Sequence, residues 1–181
     1  PKFVPPTENP PLTLSLLTQM PKCDLDCRLL GSVPLPLLWK FYQELPEDER
    51  VDRNDQHLPH FESFEEFSDY ILKEDDASLH MKGKTLCLAL LQSERNLREG
   101  VQAILYEAYV DKVVYLELTV CPLLHSTKMK PEESLDIICD VCNKFNESKE
   151  NKFVAKIVLN ANILALSPLD VQKVAELCVQ Y

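Results

Sequence analysis

Residues 24–28, Asp24-Leu25-Asp26-Cys27-Arg28, put two carboxylates and a guanidinium at alternate positions. On a strand, alternate residues point to one side, so Asp24, Asp26 and Arg28 are expected on one face. A carboxylate such as Asp26 can ligate a metal. Arg28 has no lone pair to give, and its fixed charge repels a cation. A second row, Tyr115, Glu117 and Thr119, has the same spacing. If both rows point inward, Arg28 neutralises Asp26 and Glu117, because buried charges persist only when paired. On that expectation, Arg28→His would destabilise the fold and would not create a metal site.

Other candidates are weaker. Cys139-Asp140-Val141-Cys142 has the spacing of a redox or metal pair. Redox pairs use a helix N-terminus to lower a thiol pKa, whereas this pair lies more than a turn inside an expected helix. It is read as core thiols. His57-Leu58-Pro59-His60 has a metal-compatible spacing, but Pro59 and the lack of neighbouring ligands favour a plain loop. His80 and His125 stand alone. His125 follows an expected strand at its C-terminal end, and is read as a loop residue. Carboxylates are many, yet none has a context that marks it for acid–base work.

The elements that position these residues follow from pattern. Residues 1–11 carry prolines at 1, 5, 6, 10 and 11, an arm of polyproline type. Residues 12–20 form a short apolar turn or helix, closed by Pro21 before a strand at 22–28. A helix is expected over 34–44, a solvated charged loop over 45–60, and a helix over 61–72 with Ser63 as N-cap. Residues 73–84 look like a flexible charged insertion, and 85–92 like a short helix. Ser93 caps a helix over 94–111. Val113–Val120 is a strand. Pro131 starts a helix with Leu135, Ile138, Cys142 and Phe145 as its buried stripe. Residues 146–152 are expected as a turn, and 153–161 as a third strand. Ser167-Pro168-Leu169-Asp170 starts a last helix, with Val171, Val174, Ala175 and Cys178 inward. This alternation implies βα units and a parallel sheet. Residues 1–20 then form an arm, and 21–181 a single unit with charged insertions near 45–60 and 73–84.

Bulk properties exclude some roles. The chain has 181 residues, 19 basic and 29 acidic, for a net charge of −10. That opposes nucleic-acid binding and docking on anionic membranes. No apolar run approaches the ~20 residues of a membrane span, and no signal peptide opens the sequence, although it starts without Met. Seven cysteines, an odd number within apolar stretches, are expected as reduced buried thiols of a cytoplasmic or nuclear protein. Only three glycines are present, and no phosphate-cradling loop.

Four collinear blocks resemble the adenosine/AMP deaminase family of the amidohydrolase superfamily. Residues 21–32, Pro-Lys-Cys-Asp-Leu-Asp-Cys-Arg-Leu-Leu-Gly-Ser, are similar to the family's Pro-Lys-x-Glu-Leu-His-x-His-Leu-Asp-Gly-Ser. Phe64-x-x-Phe67 is like its Leu-x-x-Phe-Leu helix. Val113–Pro122 is close to its Val-x-Tyr-x-Glu-x-Arg-x-x-Pro. Residues 155–181 resemble its third strand and helix. The resemblance implies the N-terminal part of a (β/α)8 barrel, about three βα units with parallel strands flanked by helices. Family members hold one zinc whose bound water attacks the purine ring. Here Asp26 and Arg28 occupy the two His positions, Leu30 an Asp position, and Thr119 an Arg position. Phe67 matches a pocket-lining position, although a Phe at this spacing also suits a core. Leu30, Phe67, Glu117 and Thr119 are thus the expected remnant of a purine pocket.

The expected function is a non-catalytic deaminase-like scaffold or binding module, with no catalytic residues, no metal and no cofactor. The alternative is a zinc-dependent purine nucleoside or nucleotide deaminase, or a short form of one, completed by sequence outside this chain. Three βα units cannot close a barrel and leave an edge and a face uncovered. A covering partner is therefore expected, either the barrel's remainder or another protein, and an emptied purine pocket could persist.

Overall fold

The computed structural model describes residues 13–52, 54–72, 77–149, 152–161 and 167–181, with only the helical backbone described over 77–81. The proline-rich arm at 1–11, the core of the 73–84 insertion and the His80 side chain lie outside the described residues. Three strands, β1 (Lys22–Arg28), β2 (Val113–Val120) and β3 (Val154–Leu159), form one parallel sheet in the order β1-β2-β3.

Eight helices accompany them among the described residues: α1 (Leu14–Gln19), α2 (Leu29–Ser32), α3 (Leu35–Glu44), α4 (Phe64–Leu72), α5 (Ala77–Leu90), α6 (Glu94–Val110), α7 (Pro131–Ser148) and α8 (Pro168–Gln180). α6 starts where expected, because the Ser93 hydroxyl accepts from the Asn96 N–H at 3.2 Å and satisfies an orphan donor. α7 begins at Pro131, whose missing N–H costs nothing there, and Glu133 reaches back to the Lys130 N–H at 2.9 Å. α8 carries a capping box between Ser167 and Asp170.

One face of the sheet is covered. Leu116, Leu118 and Val120 of β2 are buried, α6 packs on β2 and on α7, and α7 packs on β3. Val101, Leu105, Ile138 and Phe153 complete that core. The opposite face is open: Tyr115, Glu117 and Thr119 are half-buried, and Lys156 and Val158 are exposed. Parallel sheets are normally covered on both faces, so this face has the character of an uncompleted barrel interior.

Several expectations change. Residues 77–90 form one helix where a flexible insertion and a short helix were expected. Gly83 explains part of this, since a Cβ there would lie 3.0 Å from the Ile71 carbonyl oxygen, and its absence lets α5 pack closely on α4. α7 runs through residues 146–148, which were expected to turn. A four-residue helix, α2, follows β1 directly. The loop at 45–60 contains a 3-10 turn at Glu47–Glu49 and a bridge between Val51 and His57.

The inner stripe of α8 is Val174 and Leu177, while Ala175 and Cys178 are exposed. Cys23 is exposed as well and Cys139 half-buried, so only Cys27, Cys87, Cys121 and Cys142 are the buried thiols expected.

Candidate functional site at the C-terminal ends of the strands

The first strand is irregular between Asp24 and Cys27. Cys23 pairs with Tyr115 and Asp24 with Leu116, but Cys27 pairs with Leu118 and Arg28 with Thr119. Three residues of β1 thus span two of β2, a bulge that breaks the alternation. Asp24 therefore stands in register with a core leucine, and Cys23 stands beside the polar row of β2. Only Asp26 and Arg28 keep the expected common face. Leu25, at the bulge, is 62% exposed.

Arg28 grips Asp26. Its Nε donates to both carboxylate oxygens at 3.2 Å, and its Nη2 donates to Oδ2 at 2.9 Å. The guanidinium beside it holds the Asp26 carboxyl below the usual carboxylate range, and the same bond raises Arg28 above its ordinary value. Glu117 lies outside this pair and accepts from the Tyr115 hydroxyl at 2.9 Å. That bond pushes the Tyr115 phenol up.

The pair is not buried: the Arg28 and Asp26 side chains are 66% and 63% exposed. The expected charge-compensated interior therefore reduces to an exposed two-residue ion pair. The stability expected of Arg28 shrinks with it, because exposed pairs contribute little.

Arg28, Thr119 and Asn160 nevertheless meet at one place. A cleft of about 510 Å3 opens at the C-terminal ends of all three strands, with Leu29, Leu30 and Gly31 of α2 along one side. In α/β barrels that end is where active sites form. Lys84 of α5 and His125 also line it. His125 belongs to a 3-10 turn, Pro122–His125, and is 1% exposed rather than a loop residue. Its Nδ1 lies 3.4 Å from the Leu91 carbonyl oxygen.

The sequence pattern singles out His125 at the end of the second strand, though as a loop residue, and does not mark Lys84 or Asn160. Asn160 follows a strand end directly, a signal that was available. Lys84 sits in a charged stretch that gave none.

Of the expected pocket remnant, Leu30 and Thr119 line the cleft, Glu117 is one pleat deeper, and Phe67 is elsewhere. Phe67 is fully buried in an aromatic cluster, 5.3 Å from the Trp39 ring, 5.7 Å from Tyr42 and 5.4 Å from Phe61. It is a core residue. His57 and His60 line a shallow depression beside Arg50. Cys139 and Cys142 lie along α7, and burial raises both thiols, Cys142 to about 12, which opposes redox or metal use.

The residues at positions 26 and 28 do not fit zinc. One offers no lone pair, and the other is engaged by it. Among the described residues no group of three or more His, Cys, Asp or Glu could hold a metal ion. No helix among the described residues is long and apolar enough to cross a membrane.

No family model matches the chain. A curated Dictyostelium discoideum protein, described as a probable adenosine deaminase, is 30% identical over 157 residues, covering 79% of this chain and 20% of its own length. The chain is adenosine deaminase-like in sequence and fold. Among solved structures, an adenine deaminase from Arthrobacter aurescens superposes with a TM-score of 0.63 at 14% identity, covering 88% of this chain and 54% of its own. An Arabidopsis N6-mAMP deaminase gives 0.60 at 16%, covering 90% and 58%. An amidohydrolase from Burkholderia ambifaria, solved with bound Zn, gives 0.60 at 13%, covering 94% and 53%. This adenosine deaminase-like chain thus spans a fifth of its curated relative and just over half of each of these solved structures. Its three parallel strands correspond to the barrel part of an amidohydrolase fold.

Proposed function

We propose that this chain is the first part of a deaminase-type barrel that has lost metal chemistry and serves as a non-catalytic binding module or scaffold. The observation that carries this reading is the Arg28–Asp26 pair on β1. It stands where the family resemblance puts two imidazoles, and a guanidinium cannot replace either as a ligand. The open sheet face supports a covering element, either the remainder of the barrel or another protein. A covering half would desolvate the pair.

A second reading is favoured by the curated relative, whose description is that of an adenosine deaminase and of which this chain covers 20%. In that reading, ligands supplied by sequence outside the chain would hold zinc and complete an active purine deaminase. The test is ammonia release from adenosine and AMP by the intact protein, with zinc supplied. The non-catalytic reading expects no release above the blank. Turnover abolished by chelation would overturn it.

A further inference from the structure

The cleft at the strand ends is lined by Arg28 and Lys84 and by no carboxylate, in a chain of net charge −10. Asp26 offsets the charge of Arg28, so Lys84 is the excess positive charge at the cleft of an acidic molecule. Lys84 is half-buried, and no carboxylate among the described residues pairs with it. Arg28 spends Nε and Nη2 on Asp26 and leaves its Nη1 donors without a partner among the described residues. An ammonium partly withdrawn from water beside an apolar wall gains from an anionic partner. The Thr119 hydroxyl and the Asn160 amide add neutral polar groups, while Leu29, Leu30, Val120 and Leu124 supply an apolar wall. The cleft volume, about 510 Å3, lies within the range of small-molecule sites.

We propose that this cleft binds a small organic anion, a carboxylate or phosphate monoester on an apolar body, with Lys84 and Arg28 holding the charged end. This rests on the reading that the place is free of metal chemistry, and it names the class of ligand that the altered site takes. Arg favours planar bidentate anions and Lys acts as a point charge, so the pair accepts either head group.

Calorimetric titration of the intact protein with benzoate, phenyl phosphate and benzamide tests it. Benzoate, phenyl phosphate or both should bind, the stronger of the two identifying the head group, and benzamide should bind at least about tenfold more weakly. Binding should weaken as salt rises from about 50 mM to about 500 mM. Lys84→Met should lower affinity about tenfold, Lys84→Arg should retain it, and Lys156→Met, on the open face but outside the cleft, should leave it unchanged. Equal affinity for benzamide, no binding of either anion, or an unaffected Lys84→Met variant overturns the proposal. Failure of these titrations in a zinc-free protein leaves the non-catalytic reading standing, whereas one zinc per chain removes both.

Discussion

Arg28 and Asp26 illustrate how much a residue's effect depends on its exposure. A guanidinium locked to a carboxylate in a dry interior would be strongly coupled to folding. At 66% and 63% exposure the same pair is screened by water. Arg28→His should therefore leave the thermal midpoint of this chain essentially unchanged, and metal titration of that variant should show no tight site. A large drop in midpoint would contradict the weak coupling that the exposure of the pair implies. The sign of its pH dependence is fixed. Asp26 is held below its usual value, so what the pair contributes is present above pH ~4 and is lost as pH falls through the lowered value.

The buried thiols give a larger and opposite dependence. Burial pushes Cys87 and Cys142 from 9.0 up to about 12. Once the unfolded chain ionises above pH ~9, the folded state loses about 1.4 kcal/mol per pH unit per thiol until pH ~12. Denaturant melts at pH 8 and pH 10.5 should show this fall, and Cys87→Ala should flatten it while lowering stability at neutral pH.

At the level of elements, what was legible in the sequence is what local rules decide. β2 was readable because a run of β-branched and aromatic residues leaves little alternative. α6 was readable because Ser93 and an apolar stripe mark both its start and its buried side. β1 was placed correctly, but its bulge was not, because alternation assumes a regular pleat and only the register with β2 reveals the extra residue. The first part of α5 was not legible because residues 73–84 are charged and poorly periodic, and only its later part falls in the helix expected over 85–92. Gly83 makes a close approach to Ile71. Local pattern contains no information on that contact. His125 was misjudged for a similar reason: its burial comes from a turn that folds back toward Leu91.

Two substitutions test this account of the helices. Gly83→Ala gains about 0.5–1 kcal/mol of helix propensity. It also drives a Cβ to 3.0 Å from a backbone oxygen that cannot swing away. The net result should be a loss of stability in chemical denaturation, and a gain would contradict the close approach of α4 and α5. Ser93→Ala should cost about 1 kcal/mol, because the Asn96 N–H loses its acceptor, and Ser93→Asp should restore it.

At the scale of the molecule, the parallel sheet has helices on one face and a polar row, Lys156 and Val158 on the other. β3 is also an edge strand among the described residues, where the Asn146 side chain bonds both the N–H and the carbonyl of Ala155 and so covers part of that edge. In the intact protein a covering element should slow amide exchange along β3 and across the lumen side of β1 and β2. The order and direction of the strands were legible from alternating strand and helix patterns together with the family resemblance. The cleft was not, because it is assembled from residues 28, 84, 119, 125 and 160, which share no local pattern.

The most direct test of the central claim is the metal content of the intact protein after incubation with excess zinc and removal of free ion by desalting. An aspartate held by an arginine at positions 26 and 28 predicts a zinc-to-protein ratio far below one, unchanged in Asp26→Asn. One tightly held zinc per chain, lost in Asp26→Asn, would contradict it.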